Sequence, residues 1–326
     1  MKDFALLNLA QTLYGQPHAI TLDKLRQIVA AFERRRAGLA LSAEEQISFE
    51  DARENNEIIR ASVVGAKLRT AGGMTVQQVG KVAILPMQGT ITQRASFFTS
   101  FSGGCSAEQF AMAHEELVND GSVKAIVWDV DSPGGSVAGV PETASKLLAM
   151  KGQKKTVAVS NTTMASAAYW LASNADEIVA TPSSLTGSIG VLAVHEDYSQ
   201  QNAAAGVAVN YIHAGKYKVE GNPDQPLTDD GRAALQQTVD DYYNLFVKGV
   251  AKARGVTENK VRSGYGEGRA ITADRAVEAG LADRVGTLES VLKKLGAYEG
   301  SAPAGAILLP GGLSAKARLL LAEVTD

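Results

Sequence analysis

From Val76 onward the chain alternates short apolar runs with helix-length amphipathic stretches. Residues 79–87 predict a strand and residues 107–118 a helix. The run Val-Lys-Ala-Ile-Val-Trp-Asp-Val at 123–130 predicts a strong buried strand. A glycine loop, Asp131-Ser-Pro-Gly-Gly135, follows it, and then a helix from about 137 to 150. Residues 156–160 predict another strand, after which a helix opens at Ser166. Residues 177–180, 189–194 and 207–213 predict further short strands. Leu235, Val239, Tyr242, Phe246 and Val250 share one face of a long helix over 228–253. Two shorter helices, 272–279 and 287–295, end at Gly280 and Gly296. This alternation predicts an α/β layer architecture with mostly parallel strands.

Residues 1–75 differ in character and predict a helical N-terminal arm. Leu22, Leu25, Val29 and Phe32 fall at helical spacing, and Ser42-Ala-Glu-Glu45 is a capping box opening a second helix to about Arg60. Ala71-Gly-Gly73 reads as a linker. The arm is too small and polar for a core of its own, which suits docking or assembly. From Ser301 the chain is rich in Ala, Gly and Pro, predicting a flexible tail over 299–326 with a short docking helix at 314–324. The main domain is then 76–298.

Composition narrows the function classes. The 326 residues are 45% apolar and 21% charged, as in ordinary globular proteins, and the net charge of −3 gives no basic field for nucleic acid. Arg34-Arg35-Arg36 is the one compact basic run and reads as a solvated helix face. Cys105 is the sole cysteine, so no internal disulfide or cysteine-based metal site is expected. It has no histidine partner nearby in sequence. His18, His114, His195 and His213 lack ligand spacing, so neither a metal nor a cofactor is expected. The N-terminus lacks a full signal-peptide core, and no stretch approaches the ~18 apolar residues of a membrane span. A soluble, cytoplasmic protein without membrane anchor is the expectation.

Three segments can carry chemistry. The glycine loop after the 123–130 strand exposes backbone N–H groups with no side chain in the way, which suits an oxyanion or equally a packing turn. Phosphate motifs are absent from it. Ser166 stands among Ala165, Ala167 and Ala168 at a strand-to-helix junction, where it is either a packing residue or a nucleophile. The N–H that follows it can stabilise negative charge. No histidine is a convincing partner, so the base falls to lysine, which serves where burial favours its neutral form. Lys216 and Lys218 are candidates, and a local strand would point both to one face. Spacing does not choose between them.

Five segments in order resemble the signal peptide peptidase A family of serine peptidases, within the Clp-protease/crotonase superfold. They are Asp131-Ser-Pro-Gly-Gly135, Met164-Ala-Ser-Ala-Ala-Tyr-Trp170, Ala180-Thr-Pro-Ser-Ser-Leu-Thr-Gly-Ser-Ile-Gly190, Gly215-Lys-Tyr-Lys218, and the stretch from Gly268 to Asp283. Gly215-Lys-Tyr-Lys-Val-Glu-Gly-Asn-Pro223, with Leu227 and Asp229/Asp230, is most similar to the lambda-type phage head maturation proteases. The resemblance implies a repeated β-β-α superhelix, a Ser166 nucleophile and a Lys218 general base oriented by the Ser188 hydroxyl. Gly135 and the Ala167 N–H would form the oxyanion hole. Alanine stands where the family commonly has glycine after the nucleophile, and both are small enough for substrate entry. It further implies ring-shaped homo-oligomers, substrate bound by strand addition along the loop after Gly135, and protein substrates such as capsid and scaffold proteins, with the chain itself another. Action would be in the host cytoplasm or inside the prohead. Since the chain ends at Asp326, scaffolding by this polypeptide is not expected. Alternatives are a cytoplasmic bacterial peptidase degrading peptides, a crotonase-type acyl-CoA enzyme, and an inactive assembly factor.

Overall fold

The two periodicities resolve into one large sheet, a smaller sheet beside it, and helices packed over both. A computed structural model describes residues 17–36, 63, 66–94 and 104–298. The described chain opens with β1 (His18–Ile20) and α1 (Leu22–Arg36). A hairpin of β2 (Lys67–Ala71) and β3 (Met74–Val79) leads to β4 (Val82–Gln88) and the two-residue strands β5 (Ile91–Thr92) and β6 (Cys105–Ser106). Next come α2 (Ala107–Asn119), β7 (Ala125–Ser132), β8 (Gly134–Ser136) and α3 (Val140–Met150). Strand β9 (Lys155–Ala165) runs into α4 (Ala167–Ala172), followed by β10 (Glu177–Ala180), β11 (Leu185–Gly187) and α5 (Ser199–Ala204). The last elements are α6 (Asp229–Arg254), α7 (Glu258–Gly264), β12 (Ala270–Thr272), α8 (Ala273–Ala279), β13 (Arg284–Val285) and α9 (Leu288–Lys294).

The large sheet runs β12-β11-β9-β7-β4-β3-β2, with β10 beside the first half of β9 and β13 beyond it. Its centre is parallel (β4, β7, β9, β10, β11, β13) and its margins are antiparallel. The second sheet, β1-β8-β5-β6, collects the short strands. A long strand in one sheet, a short strand in the other, then a helix recurs at β4-β5-α2 (with β6 inserted) and β7-β8-α3. That is the expected β-β-α repeat.

Alternation along the central strands assigns each side chain to one of two cores. Ile126, Trp128 and Val130 face the larger cluster, which α2, α3, α4 and α6 cover. Ala125 and Val127 face a smaller one closed by Val291 and Leu292 of α9. Burial on both sides explains the uninterrupted apolar run in β7. Trp128 anchors the larger core, edge-on to Phe110 and His114 at 5.4 and 5.1 Å, with its indole N–H donating to His114 Nδ1 at 3.3 Å. Burial pulls His114 down to about 4, so the ring is a neutral acceptor in the core.

Several expectations change. The arm is not helical throughout, since His18–Ile20 and Lys67–Ala71 are strands. Gly72-Gly73 is the two-residue turn of the β2–β3 hairpin, with φ of 53° and 79°, where a linker was expected. Residues 189–194 contribute only an isolated bridge from Leu192 to His18, and residues 207–213 form no strand. Neither stretch finds a full partner strand for its ladder among the described residues. The expected helix at 42–60 and the docking helix at 314–324 lie outside the described residues. Among the described residues no helix is long and apolar enough to cross a membrane, and no cluster of metal-ligating side chains occurs.

Candidate active site

Ser166 occupies the junction of β9 and α4 with φ 56° and ψ −120°, a backbone conformation that costs an L-residue energy. Its N–H donates to the Gly187 carbonyl at 2.7 Å, and its Oγ lies 3.4 Å from the Gly190 carbonyl. The helix behind it is apolar all round and wholly buried, as a short helix inside a core must be. Trp170 stacks on Phe246 at 4.5 Å and 7°, and Tyr169 Oη donates to the Leu281 carbonyl at 2.9 Å. Ala167 and Ala168 are fully buried, so their smallness serves close packing rather than openness. As first residue of α4, Ala167 has an N–H with no partner inside the helix.

The glycine loop lies directly against this serine. Gly134 has φ 99°, and a Cβ there would sit 2.9 Å from Ser166 Cβ and 2.2 Å from the Ala19 carbonyl oxygen. A Cβ on Gly135 would meet the Ile91 carbonyl at 1.9 Å. Both glycines are therefore required by close backbone approach. Ser132 fixes the loop from within, its Oγ donating to Gly89 O at 2.6 Å and accepting from Gly134 N–H at 3.2 Å. The parallel register ends at Gly187↔Ala165, so Ser188 and Ser166 are the next residue along each strand. Ser188 also has a positive φ of 52°, and its N–H donates to Arg269 O at 2.9 Å.

The structure thus gathers Ser166, Ser188, Gly135 and Ala167. Lys218 is not among them. It lies on an exposed turn, and among the described residues its side chain makes no hydrogen bond with Ser166. Lys216 donates to Tyr217 Oη at 2.8 Å on the same turn. A cleft of about 420 Å³ opens beside that turn, between 216–222 and 225–230, away from Ser166. Cys105 is buried and its thiol is pushed up to about 12 by that burial, which removes it as a nucleophile.

Sequence reasoning missed three features here. Gly134, rather than Gly135, is the glycine that lies against the serine; the pair of glycines was the visible signal. His18–Ile20 lies on β8, too short a segment to announce itself. Asp129 and Asp131 in β7 hold the end of β9. Asn161 Nδ2 donates to Asp129 at 3.0 Å, and Thr163 N–H and the Thr162 hydroxyl bond Asp131. Burial raises Asp129 to about 6 and Asp131 in the same direction. A raised carboxyl is protonated in the folded chain where the unfolded chain has lost the proton. Its contribution is full below the unfolded value and is lost as pH rises through 6. Wild type should therefore lose about 1 kcal/mol relative to Asp129→Asn between pH 5 and pH 7.5, read from urea midpoints. A constant difference between the two proteins would show that Asp129 does not titrate in that range.

Residues 149–300, which include Ser166, Ser188 and Lys218, match the model of Peptidase family S49. The chain carries a peptidase family S49 domain. The Asp131–Gly135 loop lies before the matched stretch and is joined to it by the β7–β9 pairing. The chain is similar to the head-tail preconnector protein GP5 of Enterobacteria phage P21, 33% identical over 64% of this chain and 41% of that protein. It is also similar to capsid assembly protease C of Escherichia phage lambda, 32% identical over 64% of this chain and 47% of that protein. The chain spans less than half the length of either relative. Among solved structures, a point mutant of ClpP1 from Listeria monocytogenes aligns with a TM-score of 0.38 at 13% identity, covering 64% of this chain and 94% of that one.

Proposed function

We propose that the chain is a serine endopeptidase with Ser166 as nucleophile and Lys218 as general base. The observation that carries this is the Ser166 junction. A strained serine there lies against Gly134 of the glycine loop and precedes an N–H left open by the helix start. Neutral Lys218 would take the Ser166 proton as Oγ attacks a peptide carbonyl. Ser188 would orient the amine. The oxyanion would rest on the N–H groups of Gly135 and Ala167, each worth roughly 3–4 kcal/mol in comparable sites. Lys218 would then protonate the leaving amine, and water would release the acyl group.

Lys218 needs a dry setting for this, and the single protomer leaves it in solvent. The segment leading to it exposes Val207, Val209, Tyr211 and, at 97%, Ile212. So much apolar surface on one extended stretch favours cover by a neighbouring copy, in keeping with a ring-shaped homo-oligomer. On this reading 76–298 is the peptidase unit, 1–75 an arm and 299–326 a tail. The names of the phage relatives favour protein substrates of head maturation, namely capsid and scaffold proteins, met in the host cytoplasm or the prohead.

The test is co-expression with the adjacent capsid and scaffold genes, with products weighed by mass spectrometry. Defined fragments should form with wild type and Lys216→Ala, and vanish with Ser166→Ala and Lys218→Ala. Fragments persisting in Ser166→Ala would remove the mechanism. Loss in Lys216→Ala but not Lys218→Ala would move the base.

A further inference from the structure

The strand slot beside Ser166 is filled, and its occupant is the chain itself. β1 lies antiparallel on β8, with His18 opposite Ser136, Ala19 opposite Gly135 and Ile20 opposite Gly134. On the other edge, His18 N–H donates to Leu192 O at 2.7 Å and Leu192 N–H donates to His18 O at 2.9 Å. His18 is therefore held from both sides, and Ala19 and Ile20 from the β8 side. Successive residues of an antiparallel strand present their backbone groups to opposite edges. His18 turns toward Leu192, and Thr21 N–H donates to Pro133 O at 3.0 Å. Ala19 between them must turn its N–H and C=O toward Gly135. The point a Gly134 Cβ would occupy is 2.2 Å from Ala19 O and 2.9 Å from Ser166 Cβ. The Ala19 carbonyl oxygen and the Ser166 Cβ thus flank the same point above Gly134.

The side chains fit the same description. Ala19 is fully buried against the main core. Ile20 packs with Leu25 and Phe32 of α1 and with Leu192. That patch has three buried members, so α1 is a light anchor compared with the central sheet.

We propose that His18–Ile20 is an internal pseudosubstrate, which keeps the peptide slot closed until it is released. The slot takes an extended peptide with a small residue facing Gly135 and a branched apolar residue after it. The consequence for activity rests on the peptidase reading above; the occupancy does not.

The test uses the full-length chain with Ser166→Ala, so that nothing is turned over. A fluorescein-labelled peptide of residues 17–26, PHAITLDKLR, is titrated by anisotropy. Two added substitutions, Ala19→Pro and His18→Pro, each remove one ladder N–H, facing Gly135 and Leu192 respectively. Because apparent affinity scales with the open fraction, each should tighten binding about tenfold or more. Equal binding by all three folded proteins, or binding by none, would overturn the proposal. Where a proline variant fails to melt cooperatively, hydrogen exchange on the parent replaces it. Saturating peptide should speed exchange at residues 18–20, and unchanged protection would overturn the assignment. With Ser166 restored, casein hydrolysis should rise by a similar factor. Peptide binding that follows the expected order with no hydrolysis in any form would remove the peptidase reading and leave the slot assignment standing.

Discussion

Ser166→Gly is expected to abolish cleavage while making the protein more stable. Loss of the nucleophile removes roughly 10⁶-fold in rate in serine peptidases whose residues act as a unit. The stability gain comes from the backbone. With φ 56° and ψ −120°, Ser166 sits where an L-residue carries about 1–3 kcal/mol of strain. Glycine is free of that strain but raises the entropy of the unfolded chain by about 0.5–1 kcal/mol. The Oγ contact to Gly190 O is long at 3.4 Å, so little is lost with it. A net gain of about 1 kcal/mol over wild type remains. Ser166→Ala is the control: it loses the same activity but keeps a Cβ at the strained position, so its urea midpoint should stay near wild type. A glycine variant less stable than the alanine variant would show that the junction is not strained.

Asp283→Ala is expected to cause the largest loss of stability. The Asp283 carboxylate receives Arg254 at 2.6 and 3.2 Å and the Ile178 N–H at 2.7 Å. Arg254, at the end of α6, is mostly buried and also donates to the Gly280 carbonyl. Burial would raise the Asp283 carboxyl, but Arg254 and the Ile178 N–H outweigh it and hold it low. Removing the acid leaves a buried guanidinium uncompensated and the β10 N–H unpaired. A buried pair broken in this way costs about 3–5 kcal/mol, and the partly exposed carboxylate places this one near 3. A double-mutant cycle with Arg254→Met should recover part of the loss, because the stranded charge goes too. Additive losses would mean that the two residues are not coupled. Because the neighbouring Leu281 carbonyl receives Tyr169 from the serine helix, the damage should reach the site as well.

What the sequence made legible was what side chains determine. α6 was readable from its apolar stripe, and its start from Thr228, whose side chain accepts from Gly231 N–H. Gly280 ends α8 with φ 87°, the conformation a glycine there permits. β7 was readable because both of its faces are buried. β8 was not, since Gly134-Gly135-Ser136 has no apolar side chain and is a strand only through backbone bonds to β1 and β5. Residues 207–213 show the opposite failure. Their alternation is strand-like, but a strand exists only where another edge completes it, and the described residues of this protomer offer none. In the candidate site, Ser166 stood out by its small neighbours, whereas Ser188 needed the family pattern to be noticed. Gly134 was hidden because a glycine's contacts leave no trace in composition.

Cys105 has a practical consequence of another kind. It is the protein's single thiol, lies inside the fold, and is held in its unreactive form. In native buffer a maleimide or disulfide reagent should therefore leave the wild-type chain unlabelled, and labelling should report global opening of the β5–β6 region. The same silence makes the natural sequence a ready background for site-specific probes. A cysteine placed at the exposed Ile212 would carry the only reactive sulfur, and its loss of reactivity on raising protein concentration would register the moment that copies meet.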